Sequence, residues 1–61
     1  MSPQMLPIAQ SAAALLDKAK RCRRLVRLTT DGRAVQALTA VAFECEARAE
    51  ELMAVVRTAV A

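Results

Sequence analysis

The chain has 61 residues, a net charge of +3, one Gly, two Pro, two Cys, one Phe and no His, Trp or Tyr. That length holds one small domain with a modest core, and the absence of His removes the ordinary zinc-ligand sets and the Ser-His-Asp and Cys-His catalytic arrangements. A chain rich in Ala, Leu, Arg and Glu with so few helix breakers reads as all-α.

Residues 1–6 read as an N-terminal tail or a first helical turn. Ser2 is able to cap a helix that has Pro3 at its first position; the alternative is a helix that starts at Pro7 behind a tail. The segment carries no basic side chain and no long apolar stretch, so it is a poor secretory signal. The longest apolar runs, Ala12–Leu16 and Leu52–Val56, fall far short of the roughly 20 residues that a membrane span needs. The expected location is cytoplasmic, where two unpaired thiols suit a reducing compartment.

Residues 7–61 read as a single helical hairpin, with helix 1 over about 7–28, a turn at 29–33 and helix 2 over about 32–60. Helix 1 carries an apolar stripe at Ile8, Ala12, Leu15, Ala19, Cys22 and Val26. Its alternating spacing of four and three is the heptad seam of packed helices. Leu16 and Leu25 flank it, and Lys20, Arg24 and Arg27 point away. Basic residues near the helix end complement the negative pole of the helix dipole.

Thr29-Thr30-Asp31-Gly32-Arg33 is the only internal break. Asp31 or Thr30 is a good N-cap for the next helix, and Gly32 is expected to give the backbone freedom for the reversal. A connection this short makes the helices antiparallel neighbours. Helix 2 continues the seam through Val35, Leu38, Ala42, Cys45, Ala49, Leu52, Val56 and Ala59, with Val41, Met53 and Val55 beside it. So much Ala in both seams implies close helix approach and a thin core.

A fold about Asp31 sets residue i beside residue 62−i. Lys18 to Arg33 holds seven basic residues and one acid, and Glu44 to Glu51 holds four acids and one Arg. In this register the acids lie beside Ser11–Lys18, so the hairpin is expected not to neutralise itself. The turn end is positive and the middle negative. Two hairpins paired with their turns at opposite ends bring unlike charges together, which favours a homodimeric antiparallel four-helix bundle. Its expected self-association core is Ile8, Leu15, Ala19, Cys22, Val26, Leu38, Ala42, Cys45, Ala49, Leu52 and Val56. Cys22 and Cys45 are offset by about five residues, or roughly 7.5 Å along the axis, too far to bridge within the hairpin. Both are expected to act as small buried hydrophobes, with a Cys45–Cys45 contact across a dimer axis as an alternative.

No Gly-rich phosphate loop or nucleophile motif is present. Glu44, Glu46, Glu50 and Glu51 form the one carboxylate cluster, which reads as a solvated face. The expectation is a non-catalytic protein with no cofactor and no metal. Two surface features stand out. Lys20, Arg24 and Arg27 form an outward basic stripe able to track a phosphate backbone, which opens nucleic-acid binding as a second reading. Phe43, beside Ala40 and Ala47, is a candidate partner contact, which opens a third reading as an accessory subunit of a larger complex.

The run Ala19-x-x-Cys22-Arg23-Arg24-Leu25, the turn Asp31, and Leu38 followed by Ala42-Phe43-Glu44-Cys45-Glu46-Ala47-Arg48-Ala49-Glu50-Glu51-Leu52 resemble a class of very short proteins common in alphaproteobacterial genomes. The resemblance covers roughly residues 18–52. Cys45 stands where that class usually has Tyr, and Gly32 where a Pro often follows the Asp. The resemblance implies a helical hairpin and nothing catalytic.

Overall fold

The computed structural model is an all-α hairpin of two helices, α1 (Met5–Leu28) and α2 (Gly32–Val60). It describes residues 5–60. The expected cap at Ser2 and Pro3 lies outside them. The hairpin is a thin rod whose Cα atoms span 45 × 13 × 12 Å.

Breaker placement explains why both helices run so far. Pro7 lies in the first described turn of α1, which is helical from Met5 onward among the described residues. Gly32 is the first residue of α2. Beyond these points neither helix contains another Gly or Pro, so no strong helix breaker interrupts it.

Three residues, Thr29–Asp31, make the whole connection. The Thr29 N–H donates to the Leu25 carbonyl at 3.1 Å and closes the last turn of α1. The Thr29 hydroxyl then accepts the Asp31 N–H at 3.2 Å. Asp31 is the N-cap of α2: its Oδ1 accepts the Arg33 N–H at 3.0 Å, and its carbonyl accepts the Val35 N–H at 3.0 Å. Side-chain oxygens thus satisfy backbone donors that the helices cannot. Gly32 has a different role from the one expected. No glycine or other described residue has a positive φ, so the reversal uses no glycine-specific backbone. A Cβ at Gly32 would meet nothing within 4 Å.

The core follows the heptad seam. The buried residues are Ala12, Ala19, Cys22, Ala42, Cys45 and Ala49, all seam positions and all small. Ala19, Cys22, Ala42 and Cys45 form one cluster, against which Leu15, Leu38 and Val41 pack while half-buried. Small side chains let the two backbones close on each other, which squeezes the bulkier Leu, Ile and Val out to the flanks. Among the described residues, no large side chain is fully buried. Leu16, Leu25 and Val55, expected to widen the seam, are exposed instead, as is Ala59.

Candidate interaction surfaces

The two sides of the seam open onto unlike long faces. Ile8, Leu15 and Cys22 on α1 and Leu38, Cys45 and Leu52 on α2 are the seam rows at seven-residue spacing that border one of them. Pro7, Ile8, Ser11, Ala14, Leu15, Arg48 and Leu52 line an open groove there. Ile8, Leu15, Leu38, Val41, Leu52 and Val56 are only half-buried. Each such side chain has apolar area that one hairpin cannot cover, and its full burial is worth about 1.5–3 kcal/mol.

The opposite face is polar and charged. The Arg23 guanidinium grips the Glu46 carboxylate as a fork, with Nε donating to Oε2 at 3.0 Å and Nη2 to Oε1 at 2.6 Å. These bonds hold the Glu46 carboxyl below its ordinary pKa and outweigh the opposing effect of desolvation. The same bonds raise the Arg23 pKa. Arg23 also lies over the Phe43 ring, 5.2 Å from its centroid, a cation–π distance. Phe43 is 62% exposed. Lys20, Arg23, Arg24 and Arg27 line one shallow depression on this side, and Arg23, Val26, Arg27 and Thr39 line its neighbour. The basic stripe and Phe43, read separately in the sequence, thus meet through Arg23.

The expectation that the hairpin leaves its charges unneutralised is corrected here. The Arg23–Glu46 ion pair joins α1 to α2. Arg48 pairs with Glu51 at 3.1 Å and Arg57 with Glu50 at 2.7 Å. Three of the four acids in Glu44–Glu51 are therefore engaged within the chain. Lys20, Arg24 and Arg27 have no acidic partner among the described residues. Positive charge at the turn end survives, while the negative middle is largely offset.

The residues assigned to the self-association core divide by size. Ala19, Cys22, Ala42, Cys45 and Ala49 are already buried inside one hairpin. Ile8, Leu15, Val26, Leu38, Leu52 and Val56 are half-buried. Both cysteines are free thiols enclosed between the helices. Sequence reasoning missed Arg23, the one side chain that contacts both Glu46 and Phe43. Its signal was present: Arg23 continues the Leu16 row at heptad spacing, beside the seam, where a long side chain crosses to the neighbouring helix.

Among the described residues, no group of three or more His, Cys, Asp and Glu is placed to hold a metal ion. No helix among them is long and apolar enough to cross a membrane. Comparison with protein-family models, curated proteins and solved structures finds no match to this chain.

Proposed function

We propose that the chain is a non-catalytic interaction module that works as a homodimer, two hairpins joined through their apolar faces into an antiparallel four-helix bundle. One observation carries this reading: among the described residues, the core of a single hairpin is made of Ala and Cys alone, while Ile8, Leu15, Leu38, Val41, Leu52 and Val56 remain half-open. A second copy presents the same apolar surface, as a self-complementary two-fold interface requires. It would bury the Leu, Ile and Val flanks that the Ala seam leaves out.

Charge favours turns at opposite ends. Lys20, Arg24, Arg27 and Arg33 cluster at the turn end with no acidic partner among the described residues. Pairing with the turns together would set two such clusters side by side. The opposite pairing separates them by much of the 45 Å rod, well beyond the screening length of about 8–10 Å at physiological salt. Repulsion between basic ends, more than attraction to the offset acids, sets the direction. A cytoplasmic setting belongs to the same reading, since both free thiols suit a reducing compartment.

The test is solution mass together with helicity. Leu15→Lys and Leu52→Lys place charge on the apolar face and are expected to shift the protein from dimer to monomer. Phe43→Ala, on the other face, is expected to leave the mass unchanged. A dimer that survives both lysine substitutions would exclude this face as the interface.

A further inference from the structure

The polar face stays open when the apolar face is covered, and it is the more sharply built of the two. The chain pairs Arg23, Arg48 and Arg57 with glutamates and leaves Lys20, Arg24 and Arg27, like Lys18, Arg21 and Arg33, without acidic partners among the described residues. Lys20, Arg24 and Arg27 rise along one side of α1 over seven residues, about 10.5 Å of helix axis. With Arg23 they share one depression. All of them are exposed, so each side chain is free to reach outward.

We infer that this stripe binds the phosphodiester backbone of a nucleic-acid duplex. The proposal goes beyond the self-association reading and does not depend on it. A line of fixed cations on a straight helix matches a line of phosphates, which duplexes carry at about one charge per 1.7 Å of axis. A protein partner is a poorer fit. Protein interfaces centre on a well-packed, desolvated anchor, most often an aromatic or Arg, and here the chain's one aromatic side chain, Phe43, already carries Arg23 over its ring. An anionic lipid surface is also a poorer fit, because surface-seeking helices pair their cations with an apolar face that enters the membrane. The neighbours of this stripe are Thr39, the Arg23–Glu46 pair and the half-buried Val26, which together form no broad apolar face. Phe43 is a single aromatic and offers no succession of stacking platforms for unpaired bases. Recognition is of backbone, so sequence preference is weak.

The experiment is fluorescence anisotropy of the full chain with labelled duplexes of about 20 base pairs, DNA and RNA in separate arms, over about 20–200 mM salt. Poly-glutamate and vesicles of phosphatidylserine with phosphatidylcholine are the competing probes. Binding to at least one duplex is expected, with log K falling against log salt at a slope of about −3 for DNA, as three to four neutralised phosphates require. The two duplex arms decide which nucleic acid supplies the backbone. The triple variant Lys20→Gln/Arg24→Gln/Arg27→Gln touches only exposed side chains and is expected to lose at least about tenfold in affinity at low salt and most of the salt slope. Circular dichroism and solution mass of the same samples separate loss of binding from loss of the fold or of the dimer. No binding to either duplex at low salt would overturn the proposal. So would unchanged binding by the folded triple variant, or equal binding to poly-glutamate or to the vesicles.

Discussion

At the turn, single atoms decide where one helix stops and the next begins. Asp31 serves α2 twice, with its carboxylate bonded to the Arg33 N–H and its carbonyl bonded to the Val35 N–H. Asp31→Ala keeps only the second bond and is expected to lower stability by about 1 kcal/mol, whereas Asp31→Asn keeps both and costs little; thermal melts of the two variants check this. Gly32 sits next to it in a backbone that any residue adopts, with open space where a Cβ would stand. Gly32→Ala is expected to raise stability by up to about 1 kcal/mol, mostly by restricting the unfolded chain. A lower melting temperature for that variant would mean the turn needs glycine after all. Ala42 is the opposite case, with 0% exposure at the centre of the core cluster. Ala42→Leu forces the helices apart and is expected to cost about 1–3 kcal/mol in denaturant unfolding.

Between the two helices, the register of long side chains differs from the register of the seam. Counting back from Asp31 predicts the Ala- and Cys-lined seam well, because small residues at heptad spacing have one way to bury themselves. The same counting sets Glu46 beside Leu16 and misses Arg23. Helical side chains lean toward the N-terminus of their own helix. In an antiparallel pair, Arg23 leans away from the turn and Glu46 leans toward it, so the two meet from positions that the count holds apart. The exposure of Leu16, Leu25 and Val55 was equally hard to read, since a sequence marks a residue as apolar without saying how much of a narrow two-helix seam is left for it. The Arg23–Glu46 link also has a pH signature. The folded pKa of Glu46 is lowered by Arg23, so its stabilising effect is full above the ordinary carboxylate range and is lost as pH falls through the folded value. Wild type is expected to lose more melting temperature on acidification than Glu46→Gln, which lacks the ionisable partner. Parallel pH profiles for the two proteins would show that the ion pair contributes nothing to the fold.

As a whole, the molecule is a rod with an apolar side and a cationic side, and neither belongs to either helix alone. The seam was legible because burial in a hairpin follows periodicity. The faces were not, because they arise from which rows of α1, seam edge and flank, meet which rows of α2. That pairing gathers Ile8, Leu15, Leu38 and Leu52 on one side and Arg23, Glu46 and Phe43 on the other. It also leaves a hairpin whose interior is too small for its apolar content, with no large side chain among the described residues fully enclosed. A hairpin of this size is marginal on such a core, and the apolar side is where further stability has to come from. Sedimentation equilibrium over low micromolar to high micromolar protein, with helicity followed on the same samples, tests this most directly. The expected mass is twice 6.6 kDa, with helix content falling as dilution separates the partners. A fully helical monomer of 6.6 kDa throughout that range would contradict it.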